Sequence, residues 1–138
     1  MSFLPAYVET SALLKLLLPE PEGDALLLEL GRWPDWVTSA LTALECRRAL
    51  MRERANASVR ARADHLLGGC VLVRIDAAVL RLAEHIGPRE LRSLDAIHLA
   101  TALSMGDYPE AFITYDDQLA AAARALKLNV LQPGRAGK

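Results

Sequence analysis

Apolar positions along the chain fall into runs of two lengths, and their alternation predicts the architecture. Short blocks at 5–8, 36–38, the CVLVRI run from Cys70, 111–114 and 129–131 are rich in Val, Ile and aromatic residues and read as strands. Between them lie longer runs with helical spacing: 11–18, stopped by Pro19 and Pro21; 24–30, ended by Gly31; LTALECRRALMRERA behind Ser39; and VRARADHLLGG after the Asn56-Ala57-Ser58 break. AAVLRLAEHI follows Asp76 and ends at Gly87 and Pro88, LDAIHLATALSM follows Ser93, and 116–126 forms a last helix. The unbroken apolar character of CVLVRI predicts a strand covered on both faces. Strand alternating with helix throughout predicts an α/β domain in which helices flank a parallel sheet. The pattern contains no internal repeat or linker, so 1–132 reads as one domain and 133–138 as a dispensable tail.

Composition narrows this picture in three ways. A chain of 138 residues with 52% hydrophobic content can bury one core, and 5% aromatics means that Leu, Ala, Val and Ile must fill it. A formal net charge of −1 gives no global basic footprint for nucleic acid and leaves recognition to a local patch or a bound metal. Cys46 and Cys70 form no CxxC or Cys/His cluster, which speaks against a disulfide framework or a zinc site and for a reducing, cytoplasmic setting. The first apolar stretch has no basic n-region and is broken by Glu9, Lys15 and Pro19, unlike a signal peptide or membrane span.

The chemistry of interest is acidic. In an open α/β sheet, ligands bind beyond the carboxyl ends of the strands where strand order reverses. Glu9 directly follows the first strand, and Asp116 follows the fourth after one tyrosine. Asp95 lies in the first turn of an apolar helix, and Glu45 lies among Leu41, Leu44 and Ala49. Each has a plain structural reading as well: Asp116 as a helix cap, Asp95 as a complement to a helix dipole behind a Ser93 cap, Glu45 as a solvent-facing partner of Arg48 or Arg52. Glu9 resists one, because neither a cap nor a surface ion pair calls for a carboxylate at a strand's end. Taken together, oxygen ligands without a His/Cys cluster suit Mg²⁺ or Mn²⁺, and such an ion supports phosphodiester hydrolysis. His98, three residues after Asp95, is either part of a DxxH ligand pair or a packed helix histidine.

Four segments carry a resemblance: YVETSALLKLL, TSALTALECRRAL, LRSLDAIHLATAL and FITYDDQLAAAARALKLNVLQPG. In this order and spacing they resemble the PIN-domain proteins, and most of all the VapC-type toxins of bacterial toxin–antitoxin modules. The resemblance implies a three-layer α/β/α fold and a metal-dependent endoribonuclease whose acidic quartet falls on Glu9, Glu45, Asp95 and Asp116. Of these, Glu9, Asp95 and Asp116 are implied as ligands for Mg²⁺ or Mn²⁺, with Ser11, Thr114 and Asp117 as flanking polar support. It further implies a homodimer and an antitoxin that inserts an apolar helix and a basic side chain toward the acidic pocket. One position departs: the family usually has Asp where this chain has Glu9, so a catalytically impaired PIN-like binding module is the rival reading. A phosphoacceptor receiver domain fits less well, because Thr10 and Ser11, not an acidic pair, follow the first strand.

Substrate and partner surfaces are suggested by two further runs. Arg47, Arg48, Arg52, Arg54, Arg60 and Arg62 crowd a span with few acidic neighbours; this is either a solvated helical hairpin or a phosphate-tracking rim, with Arg47, Arg48 and Arg52 nearest the quartet in sequence. Aromatic residues are sparse there, so base-stacking readout is not expected. ALLKLLLP and ALLLELG are apolar on more than one face, as a core or as a partner-binding seam would be.

Overall fold

The computed structural model describes residues 4–105 and 109–135. Its elements follow the order β1 (Ala6–Val8), α1 (Thr10–Leu17), α2 (Gly23–Leu30), β2 (Trp36–Ser39), α3 (Ala40–Arg52), α4 (Ala57–Gly68), β3 (Val71–Val73), α5 (Ala77–Ala83), α6 (Ser93–Ser104), β4 (Ala111–Ile113), α7 (Asp117–Ala125) and β5 (Val130–Leu131). The five strands pair in parallel in the order β3-β2-β1-β4-β5. The chain builds outward from β1 to β3, then returns across the sheet to lay β4 on the other side of β1. The switch point of the sheet is therefore the crevice between β1 and β4.

Alternation along the central strands divides the core into two layers. Ala6, Val8, Ala111 and Ile113 face one side, where Ala12, Leu13, Leu26, Leu30 and Cys46 of α1–α3 cover them. Tyr7 and Phe112 face the other, packed with Leu99 and Ala102 of α6 and Leu119, Ala122 and Ala123 of α7. The result is the three-layer α/β/α arrangement that the resemblance implied, built on the helix-flanked parallel sheet expected from the alternating runs. A satellite cluster of Leu17, Leu50 and Ala63 holds α1, α3 and α4 together.

Three expectations about local structure differ from what is observed. β3 is not covered on both faces: it is an edge strand, with Val71 55% and Leu72 41% exposed. An apolar run reports burial only on average, and strand order in the sheet, which the run does not encode, decides which strand lies outermost. Ser93 is not the cap of α6 but its first helical residue; Arg92 stands at the cap and makes no side-chain capping bond. AAVLRLAEHI also yields a shorter helix than its length suggests, ending at Ala83. The chain then turns through Gly87, whose φ of +76° favours glycine and whose added Cβ would lie 2.8 Å from Leu91 Cδ2.

Residues 133–135 are tied to the domain. The Tyr115 hydroxyl donates to the Pro133 carbonyl at 2.7 Å, and Arg135 pairs with Asp117 at 2.7 Å while lying over the Tyr115 ring. Among the described residues, no helix is long and apolar enough to cross a membrane.

Candidate active site

The four predicted carboxylates come from four separate elements and line one cleft of about 470 Å³ at the β1/β4 switch point. Its walls are Glu9, Thr10, Ser11, Glu45, Asp95 and Asp116, with Leu14, Leu41, Leu44, Ala49 and Leu94 between them and Arg48 and Arg52 at its edge.

Glu9 leaves β1 with extended backbone geometry, and its N–H is held by the Ile113 carbonyl of β4 at 3.0 Å. The sequence reading assigns Glu9 no capping role, and here the structure differs: it is the N-cap of α1. Its Oε1 accepts from the Ser11 N–H at 3.1 Å, from the Ser11 hydroxyl at 2.5 Å and from the Thr114 hydroxyl at 2.7 Å. Glutamate is an uncommon cap because its side chain is one methylene too long for the usual return to N2 or N3. Here the side chain folds back, and two hydroxyls complete what the helix end starts. The Ser11 oxygen in turn accepts from the Tyr115 N–H, and Thr114 Oγ1 accepts from the Asp116 N–H. Ser11 and Thr114 thus bind the β1 end of the cleft to its β4 end.

Glu45, one-quarter exposed, projects from α3. Its Oε1 accepts from the Thr10 hydroxyl at 2.5 Å and meets His98 Nε2 at 2.8 Å. Burial works to raise its pKa, but the bonds from His98 and Thr10 outweigh it and leave the carboxyl below its ordinary value. Asp95, in the first turn of α6, is shifted the other way: burial first, then the negative charges of Asp116 and Glu9, raise it. Asp116 caps α7, its Oδ1 accepting from the Leu119 N–H at 2.9 Å. Capping and lining the cleft are compatible, since a carboxylate has a second oxygen.

His98 is buried and belongs to neither of the two simple alternatives. Its Nδ1 lies 2.8 Å from the Tyr7 hydroxyl, its Nε2 2.8 Å from Glu45, and Glu9 Oε2 is 3.9 Å from Nε2. Glu9, Glu45 and His98 each bring a ligand-type atom within 4.8 Å of the others. Thr10, Tyr7 and the role of His98 are the parts of the site that sequence reasoning missed. A tyrosine at the centre of a buried strand was the available signal, because a buried phenol needs a hydrogen-bond partner.

Other predicted residues are distributed less uniformly. Asp117, expected beside the site, pairs with Arg135 and is not among the residues lining the cleft. Of the arginines, Arg48 and Arg52 edge the cleft, whereas Arg47 donates to Asp64 of α4 across a neighbouring groove of about 610 Å³. Arg62 donates to the Leu16 carbonyl at the end of α1 and Arg60 to the Ala55 carbonyl, which gives both structural duties. Cys46 and Cys70 are free, and burial pushes their thiols up to about 12 and about 11, so neither is an activated nucleophile.

The donor set fits a hard divalent cation. Its ligand-type groups in the cleft are carboxylates and hydroxyls, and Asp95, raised first by burial and then by the charges of Asp116 and Glu9, is a carboxylate whose ionised form a bound cation would favour.

A family model for the PIN domain matches residues 6–125. Among curated relatives, Ribonuclease VapC46 of Mycobacterium tuberculosis is 42% identical over 127 residues, covering 92% of this chain and 96% of the relative. Ribonuclease VapC35 of the same organism is 43% identical over 143 residues, covering 94% and 98%. Two solved structures share the fold. One is M. tuberculosis VapC20, described as a sarcin-ricin loop cleaving toxin (TM-score 0.70, 18% identity, 85% of this chain and 94% of that one). The other is a toxin–antitoxin complex from Klebsiella pneumoniae (TM-score 0.67, 19% identity, 94% and 97%). The chain belongs to the PIN domain family, among its VapC ribonucleases.

Proposed function

We propose that this protein is the toxin of a toxin–antitoxin pair, an endoribonuclease that hydrolyses RNA phosphodiester bonds with Mg²⁺, or Mn²⁺ in its place, held by Glu9, Asp95 and Asp116. The observation that carries the reading is the convergence of four carboxylates from β1, α3, α6 and α7 on the switch-point cleft, with Arg48 and Arg52 beside them. The cation supplies activation of the attacking water and neutralisation of charge on the phosphate. The residues of the chain do the rest. Ser11 and Thr114 fix the Glu9 carboxylate, Thr10 and His98 fix that of Glu45, and the lowered pKa of Glu45 keeps it ionised as a fixed negative charge beside the cleft. Arg48 and Arg52 attract the sugar–phosphate backbone without reading bases.

Membership of the VapC group supports the ribonuclease reading over an impaired binding module, and the donors around Glu9 support it further: the glutamate keeps the charge of the usual aspartate and is held in place by Ser11 and Thr114. An antitoxin partner and self-association belong to the same proposal, supported by exposed Leu27, Leu28, Leu44 and Met51 on the α1–α4 layer. The deciding experiment incubates the purified protein with mixed cellular RNA in Mg²⁺, Mn²⁺ or EDTA and sequences the new ends. Site-selective cuts that disappear in EDTA are expected. RNA left intact under all three conditions would overturn the reading.

A further inference from the structure

Tyr7 is wholly buried at the centre of the sheet, stacked on Phe112 with ring centroids 5.0 Å apart and planes 4° from parallel. Its ring meets that of His98 edge-on at 6.1 Å. Its oxygen lies 2.8 Å from His98 Nδ1. Glu45 Oε1, 2.8 Å from Nε2, belongs to a carboxylate, which only accepts, so Nε2 donates to it and Nδ1 of the neutral ring accepts from the Tyr7 hydroxyl. A ring nitrogen that accepts a hydrogen bond carries no hydrogen, and the imidazole proton therefore sits on Nε2, facing Glu45 Oε1 at 2.8 Å.

We propose that Tyr7, His98 and Glu45 form a fixed-tautomer relay in which His98 is a positioning residue: its Nε2–H, together with the Thr10 hydroxyl, clamps one oxygen of Glu45 and leaves the other to the cleft. Both ring nitrogens are engaged, so His98 orients a carboxylate instead of offering a lone pair to a cation. The β1 tyrosine and the α3 carboxylate hold one tautomer between them, which couples the orientation of that carboxylate to the core of the sheet. The effect on turnover rests on the ribonuclease reading above; the hydrogen-bond assignment does not.

The test has a spectroscopic arm and a kinetic arm. In ¹⁵N-labelled protein without metal, the His98 ring is expected to show an unprotonated Nδ1 and a protonated Nε2 at neutral pH, a pattern that Tyr7→Phe converts to a tautomer mixture. In cleavage assays, Tyr7→Phe and His98→Leu should lower kcat by about 10- to 100-fold with KM for RNA within about twofold, the range typical of groups that orient a site's ligands. His98→Gln, whose side-chain N–H₂ can still donate to Glu45, should recover most of that loss. A proton on Nδ1 in the wild-type protein overturns the relay, as does equal impairment by Gln and Leu in variants that melt alike. Should the wild-type protein cut no RNA at all, the ribonuclease reading fails and the spectra of wild type and Tyr7→Phe decide the relay by themselves.

Discussion

The two halves of the acidic cleft are held in opposite ways. On the β1/α3 side, Glu9 accepts three hydrogen bonds through one oxygen and Glu45 accepts two, from serine, threonine and histidine donors placed by the fold. On the α6/α7 side, Asp95 is raised by burial and by the charges of Asp116 and Glu9, with weaker relief from His98 and Arg92. Hydrogen bonds favour the ionised form of Glu45, whereas burial and then surrounding charge oppose that of Asp95. A carboxylate stabilised by its own fold is fixed in place, and one left in repulsion is the natural receiver of a cation. The fold thus supplies order on one side of the cleft and electrostatic demand on the other.

The largest effect is expected where the demand lies. Asp95→Asn should lower cleavage at least about 100-fold, since it removes a ligand charge while keeping shape. The metal-free melting temperature should stay the same or rise, because one of the repelling charges is gone. Unchanged cleavage, or a large fall in melting temperature, would mean that Asp95 serves structure instead.

On the ordered side, Glu9 gives a sharper comparison. Glu9→Asp restores the more usual capping length and should raise cleavage under limiting Mg²⁺ about tenfold, about 1.4 kcal/mol in barrier, while Glu9→Gln should lower it sharply. Equal rates for the three versions would remove residue 9 from the cation's reach. Thr114→Val removes the donor to Glu9 and the acceptor of the Asp116 N–H together; it should cost about 2 kcal/mol in urea unfolding, in the range for a bond to a charged group. A loss below about 0.5 kcal/mol would show that the bridge between the two halves is not a structural element.

The smallest effect is a pH signature of opposite sign in the two halves. The folded-state pKa of Glu45 is lowered, so the stability it contributes is present above the unfolded carboxyl value of about 4.3 and is lost as pH falls through the lowered one. That of Asp95 is raised above an unfolded value of about 3.9, so its folded form takes up a proton first and gains stability as pH falls through the raised value. Melting scans of wild type and Asp95→Asn in EDTA should therefore converge as the pH is lowered from neutrality. A gap that widens instead would reverse the sign assigned to Asp95.

How much of this was legible before the fold was known differs by element. The alternation of strands and helices and the placing of Glu9 and Asp116 follow from local pattern, because a residue just past a parallel strand must lie near the sheet's carboxyl edge, whereas Glu45 within α3 and Asp95 on α6 were grouped with them by their apolar surroundings and by the family resemblance. The exposure of β3 was not legible, since position within the sheet is a property of strand order. Nor was the link from Tyr7 through His98 to Glu45, which joins residues 91 and 53 positions apart in the chain. Glu9 as a cap was hidden for a different reason: the donors that make a glutamate serviceable there include Thr114, 105 residues away.

The comparison between the two halves turns on where a cation is received, and anomalous diffraction from crystals soaked in Mn²⁺ measures this directly. The account predicts a peak in the switch-point cleft with carboxylate oxygens of Glu9, Asp95 and Asp116 at about 2.1 Å, the distance typical of small hard dications, and with His98 still bonded to Glu45. A peak coordinated by the His98 ring, or none in the cleft at saturating Mn²⁺, would contradict it.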